Sequence, residues 1–449
     1  MLWIKWFEAI RQLEPAFNRK KTFYWFVLVC MGLNLRTDFM GVASIVRALR
    51  LKKCCYQSVC DFFHSSAIDL RLLTQLWSRF VLSSLAPFLH IEGGRKVFLL
   101  DGIKAPKEGR KMPLVKLHHQ ESQNNSKPQY IWGHGAQAIC VLATVGVQSF
   151  AIPLILRIQD GLGPKSKSIL DKAIDLMRAL ATSGGFYMVG DAYYYSGQFF
   201  IAIRKLGGDV ISRVRSNAVG YLPVPENKTK KRGRPQKYGK KIKLKKLFKS
   251  KGFREETVRI YGKEQVVEIK ERILISKSFG QCLKFVWVKS SRGNCIFCST
   301  DLGLAAKKII ELYGLRFKIE VSFKELVQRM GAFCYRFWSK KLDRSRKEGE
   351  IKRNVLKEST YQLHLQLAAI VHGMLIYLGI VAREQIWKQF NGWLRTIRRE
   401  NIPTPQIVQM ALSDEVEEFY VDSTLDENLR KFIESKRYRS YPRGIRVAA

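Results

Sequence analysis

The chain has 449 residues, with 78 Lys and Arg against 38 Asp and Glu, a formal net charge of +40. An excess of that size repels itself in a compact fold unless it works against a polyanion. Basic side chains that neutralise phosphates release condensed counterions, so nucleic acid is favoured over an anionic membrane surface. Apolar residues at 46 % and aromatics at 12 % exclude a basic disordered tail and allow two to four structural units with at least one sizeable core.

Residues 1–93 read as helical, with apolar side chains at helical spacing, and are expected to form a DNA-binding region. Residues 41–50 and 56–63 suggest two short helices around the basic turn Lys52-Lys53. That is compatible with a helix-turn-helix, ordinary helices of an all-α domain being the alternative. Residues 22–35 lack charge but are too short to span a bilayer. Nine cysteines without regular spacing, and no leader ahead of them, suggest reduced thiols in a cytoplasmic, nucleoid-associated protein.

The pattern changes at Gly93. Lys96-Val-Phe-Leu-Leu-Asp101 is a short apolar run ending in an acid, the form of a buried strand. Residues 136–144 and 149–158 supply two more strand-like runs, and 165–182 an amphipathic helix. Phe186-Tyr-Met-Val-Gly-Asp191 is a second apolar run ending in an acid, followed by a helix over 196–206 and a strand over 209–214. This order predicts an α/β unit with a mixed sheet over 94–216. Residues 228–251 carry 13 Lys or Arg and no acid, and read as a surface loop. Alternating runs at 255–261, 265–276, 283–289 and 294–300 make 217–301 a basic loop with a β-rich insertion. Helical character resumes over 304–331, so 302–385 reads as the second part of the core. The apolar stretch 361–382 is long enough to span a membrane, but Gln362, His364, Gln366 and His372 favour a helix buried in a protein core. Residues 386–449 form a C-terminal region.

Three acids stand out. Asp101 and Asp191 each end a buried strand, so their carboxylates emerge at a sheet edge. At 100° per residue, Tyr313, Arg316 and Glu320 share one helical face. Two strand-end Asp residues and one helical Glu could converge on two Mg²⁺ ions, which take a few carboxylates and complete their shell with water and phosphate.

These residues resemble the DDE transposases of bacterial insertion sequences, in the cut-and-paste group with a β-strand insertion before the final Glu. Leu-Asp101-Gly is similar to the first Asp block of that family and Gly-Asp191-Ala-Tyr-Tyr to the second. Tyr313-x-x-Arg316-x-x-x-Glu320 is similar to its Tyr-Arg-Glu signature. The resemblance runs from about residue 96 to 331. It implies an RNase H-like core and Asp101, Asp191 and Glu320 as ligands of Mg²⁺ or Mn²⁺. It further implies DNA contacts by Tyr313 and Arg316, cleavage at transposon ends followed by strand transfer into target DNA, and a homodimer on DNA. One departure is Val327, where the family signature carries a Lys; Lys324 and Arg329 stand near enough to substitute.

Weaker signals complete the reading. Arg232-Gly-Arg234-Pro resembles a minor-groove arm, phosphate contact being the alternative. Trp287 and Trp338 could stack on unpaired bases, although core packing is favoured for Trp287. His118, His119 and His134 lie between strands near Asp101 and could assist proton transfer. Cys295-Ile-Phe-Cys298 has no second pair and is a poor zinc motif. Alternative functions are a catalytically inactive DNA-binding derivative of a transposase and a metal-dependent nuclease that cuts without joining.

Overall fold

The computed structural model describes residues 1–39, 41–109, 112, 114–120, 128–159, 168–180, 184–224, 236–335, 349–422 and 424–438, with 349–359 as backbone alone. Five helices lead the chain: α1 (Leu2–Arg11), α2 (Lys20–Leu35), α3 (Val42–Ala48), α4 (Cys55–Phe63) and α5 (Leu70–Ser84). Twelve of the sixteen residues of α2 are buried, which is why its sequence carries no polar stripe. Asp69 caps α5, its carboxylate accepting from the Leu72 amide at 2.9 Å.

The central sheet follows from the apolar runs. Its strands are β1 (Ile91–Glu92), β2 (Arg95–Pro106), β3 (Lys116–His119), β4 (Tyr130–Val145) and β5 (Gln148–Ile158). After α6 (Ile169–Ala179) come β6 (Phe186–Gly190), α7 (Gly197–Lys205) and β7 (Gly208–Arg213). β2, β4 and β5 are successively antiparallel, while β6 and β7 lie parallel to β2 on its other side. The order β5-β4-β2-β6-β7 is the mixed, RNase H-like sheet that the α/β reading expected. β8 (Val219–Tyr221), β9 (Lys241–Lys243), β10 (Arg254–Ile260), β11 (Lys263–Ile275), β12 (Cys282–Ser290) and β13 (Gly293–Ser299) then extend it. β13 pairs antiparallel with β7, so the strands of the β-rich segment and of the core form one sheet of thirteen strands.

The remaining helices are α8 (Ala306–Leu315), α9 (Phe317–Gln328), α10 (Gly349–Val381), α11 (Arg383–Gln389), α12 (Pro405–Val421) and α13 (Glu427–Lys436). Within α10, Thr360–Val381 is long and apolar enough to cross a membrane, but it lies buried against β5. The two glutamines that interrupt its apolar surface have a structural reason. Gln366 donates to Leu154 O at 3.0 Å and accepts from Leu156 N at 3.4 Å. Gln362, one turn earlier, donates to Ile158 O at 3.1 Å and accepts from Ile158 N at 2.9 Å. Their amides act as a substitute strand for the outer edge of β5, whose backbone would otherwise be buried unpaired. α10 also approaches α5 closely: a Cβ at Gly373 would stand 2.5 Å from the Trp77 ring.

The two ends of the chain share a core. Trp3 Nε1 donates to Leu412 O, and the Leu2 amide to Glu415 Oε2, each at 2.6 Å. The basic turn between α3 and α4 is also tied down, with Lys52 N and Nζ donating at 2.8 Å to Lys436 O and Ser435 O.

Gln366→Leu should therefore destabilise the protein by about 2 kcal/mol, because it strands buried β5 groups and a hydrogen bond from Arg157 at 2.7 Å. Urea unfolding measures this. An unchanged midpoint would show that the amide does not hold the strand edge.

Candidate active site

Asp101 was expected at the end of its strand, and here the structure differs. β2 continues five residues past it because β4 goes on pairing as far as Pro106↔Gly133. What ends at this level is the parallel partner, since β2 and β6 pair last at Leu100↔Gly190. The next residue on each strand is an acid, so Asp101 and Asp191 stand side by side where the parallel ladder opens. Asp191 caps a turn, its Oδ1 accepting from the Tyr193 amide at 2.9 Å, and its carbonyl accepts from Ser212 Oγ at 2.8 Å. Asp101 Oδ1 accepts from the Gly102 amide at 2.8 Å.

Glu320 arrives on α9. The single helix expected over 304–331 is divided at Arg316, where α8 ends and α9 begins. Both bonds at the joint are the tighter three-residue type, Arg316 N to Tyr313 O at 3.1 Å and Ile319 N to Arg316 O at 3.0 Å. The joint directs the guanidinium between the acids. One Arg316 amino group donates to Asp101 Oδ2 and the other to Glu320 Oε1 at 2.6 Å. Burial pushes the Asp101 carboxyl up to about 6; Arg316 opposes that shift, while Asp191 and Glu320 add to it. Burial works against the charge on Arg316 as well, but Asp101, Tyr313 and Glu320 outweigh it and hold the guanidinium protonated.

Tyr313 lies with its ring 4.5 Å from that of Phe297 and 5.6 Å from the Arg316 guanidinium. Burial raises its phenol, with Arg316 and Arg213 opposing the shift and Asp191 adding to it. Sequence reasoning missed two neighbours. Tyr194 is buried beside Asp101 and Asp191, and its hydroxyl accepts from Gln137 Nε2 at 3.0 Å. The apolar signal of Gly-Asp-Ala-Tyr-Tyr could have marked Tyr194 as the floor of the site. Gly190 is needed there, since a Cβ would meet the Tyr194 ring at 3.0 Å.

Other expected residues are placed differently. Lys324 is exposed one turn beyond Glu320, and Val327 is exposed as well. Arg329 is committed elsewhere, to Glu325 at 2.5 Å and Gln406 at 3.2 Å, which leaves Lys324 as the exposed one of the two residues expected to stand in for the family Lys. His134 is buried against Tyr335 and bonded to its hydroxyl. Trp287 is in the core, its Nε1 donating to Leu244 O at 2.8 Å. Arg232, Arg234 and Trp338 lie outside the described residues.

The model of the transposase DDE domain matches residues 93–346, more than half of the chain and all three acids. The chain belongs to the DDE transposase family. No curated protein matches it. Among solved structures it is similar to the cryo-EM structure of a piggyBac transposase synaptic complex with hairpin DNA. The identity is 13 % and the TM-score 0.35, over 98 % of this chain and 84 % of that one.

DDE transposases in general use divalent metal ions. Among the described residues, no three His, Cys, Asp or Glu side chains are drawn together tightly enough to hold an ion as they stand. The cause is visible: Arg316 lies between Asp101 and Glu320. The donor set still suits a hard cation, being carboxylate oxygen throughout, and a positive group already occupies the gap. Removing that group should leave the carboxylates repelling one another. Arg316→Ala is expected to cost about 3 kcal/mol at neutral pH. Arg316 holds the Asp101 carboxyl down, so in the variant Asp101 takes up its proton at a higher pH than in the wild type, which relieves the repulsion, and the loss should shrink in acid. Urea unfolding at both pH values checks this; a loss independent of pH would contradict it.

Proposed function

We propose that this chain is an active DDE transposase of the cut-and-paste type, cleaving DNA at transposon ends and joining them to target DNA. The observation that carries the reading is the meeting of Asp101, Asp191 and the Arg316–Glu320 pair at the open end of the parallel ladder. Asp101, Asp191 and Glu320 would hold Mg²⁺ or Mn²⁺, two ions in the sequence reading. Bound there, the ions would supply the charge neutralisation and nucleophile activation that in-line phosphoryl displacement requires.

The protein's own residues provide the rest. Asp101 lies on β2 and Asp191 directly follows β6, the strand hydrogen-bonded beside it, so their spacing is set by the sheet. Glu320 sits on a helix anchored to that sheet, with Ser322 Oγ donating to Ala151 O at 2.6 Å. Arg316 would exchange carboxylate for DNA phosphate as the strand enters, and a guanidinium suits either partner. Tyr313 beside Arg316 and Lys324 one turn beyond Glu320 would contact the DNA, and Arg232 and Arg234 are proposed as further contacts from the basic loop. A homodimer on DNA and a cytoplasmic site of action belong to the same reading.

The test is incubation of the purified protein with the DNA that borders its gene. Mg²⁺ should give nicked ends with free 3′-hydroxyls and then strand-transfer products. Asp101→Asn, Asp191→Asn and Glu320→Gln should each lower cleavage by at least about 10³-fold while retaining DNA binding, since they remove ligands and add no bulk. Cleavage without joined products would assign a nuclease, and binding without cleavage an inactive derivative. In the metal-free protein the Asp101 carboxyl is raised to about 6, so protons compete with the ion there and the Mg²⁺ concentration needed for cleavage should rise as pH drops through that value. A Mg²⁺ requirement unchanged by pH across that range would contradict Asp101 as a ligand.

A further inference from the structure

Beside Asp191 opens a cleft of about 1300 Å³ whose walls include Arg213, Arg215, Lys243, Lys245, Lys246 and Lys249. Among the described residues its lining contains no Asp or Glu, and Ala192, the residue after Asp191, forms part of it. Among the described residues, none of the six cations makes a salt bridge. Arg215 spends donors on Ala192 O at 3.1 Å and Tyr193 O at 3.2 Å, which fixes one wall to the turn that carries Asp191.

The opposite wall is built, not merely charged. Residues 244–249 form a short 3-10 helix in which Leu244 is fully buried while Lys245, Lys246 and Lys249 are exposed. The indole of buried Trp287 donates to Leu244 O at 2.8 Å. Lys270 Nζ closes the far side through Ser250 Oγ at 2.8 Å and Lys251 O at 2.7 Å. A row of ammonium groups is thereby held at a set height above the sheet, facing two arginines at the end of β7. Six like charges in a concave space raise each other's energy, and that energy is recovered when an anion of matching charge enters.

We propose that this cleft holds the phosphodiester backbone of the DNA strand that continues past the scissile phosphate. The proposal rests on the transposase reading above and extends it to a site outside the three acids and the signature helix. Its recognition is of backbone, so it positions DNA without reading sequence.

The test uses the whole protein and a random-sequence DNA duplex. Binding is measured between about 50 and 200 mM salt for the wild type and for K243Q/K245Q/K246Q/K249Q. The plot of log K against log salt loses about 0.9 of slope for each phosphate contact removed from duplex DNA. The quadruple variant should therefore lose about 2 to 4 units of slope. All four side chains are exposed, so the fold should persist. A control variant, K388Q/R395Q/R398Q/K431Q, removes the same charge from the C-terminal region and should leave the slope nearly unchanged. Equal slopes for the wild type and the cleft variant overturn the proposal, as does an equal loss in the control. Cleavage of the DNA bordering the gene is assayed in parallel. Cleavage with an unchanged slope would reject the cleft alone. Loss of slope without wild-type cleavage would reject the transposase reading and leave the cleft as a DNA site.

Discussion

Arg316 stands between Asp101 and Glu320, and carboxylates crowd into a space of this kind when a cation shares it. Two like charges 4 Å apart repel by about 4 kcal/mol at the effective dielectric of a protein surface. A guanidinium with two forks can answer two acids at once, which a lysine cannot do in the same geometry. The break between α8 and α9 exists at the residue that must make this reach. The position of Glu320 and the orientation of Tyr313 follow from that one side chain, which also opposes the rise that burial imposes on the Asp101 carboxyl.

The sheet supplies the rigidity this arrangement needs. Because β2 and β6 run parallel and in register, stopping their pairing at Leu100↔Gly190 brings two acids together without any help from loops. The other end of the same strands is pinned by Asp209, which is buried and binds both Arg95 and Arg204. On the outer side, Gln362 and Gln366 replace the missing neighbour of β5, so a helix apolar enough for a membrane closes the sheet instead. The extension through β13 then carries the basic cleft to within one residue of Asp191.

Much of this was legible in the sequence, for physical reasons that differ by element. The runs Val97–Leu100 and Phe186–Gly190 are apolar because both sheet faces are covered, and that pattern identifies a buried parallel pair. The spacing of Tyr313, Arg316 and Glu320 placed them on one face, and they do meet. Spacing could not show the break between α8 and α9 at Arg316, the residue that reaches Asp101 215 positions away. Nor could it show that β2 continues past Asp101, since that depends on how far β4 extends. The packing of Trp3 on Leu412 is equally invisible to local pattern. Residues 243–249 read as a solvated loop because their charge masks Leu244, the single buried anchor that turns them into a platform.

In the proposed reaction Arg316 gives up Asp101 and Glu320 to metal when DNA is bound. The most direct measurement is anomalous diffraction from crystals of the protein with DNA and Mn²⁺. The account predicts anomalous density among the carboxylates of Asp101, Asp191 and Glu320, with Arg316 turned away from Asp101 towards a phosphate. Density elsewhere, or Arg316 still bridging Asp101 and Glu320 with DNA in place, would contradict it.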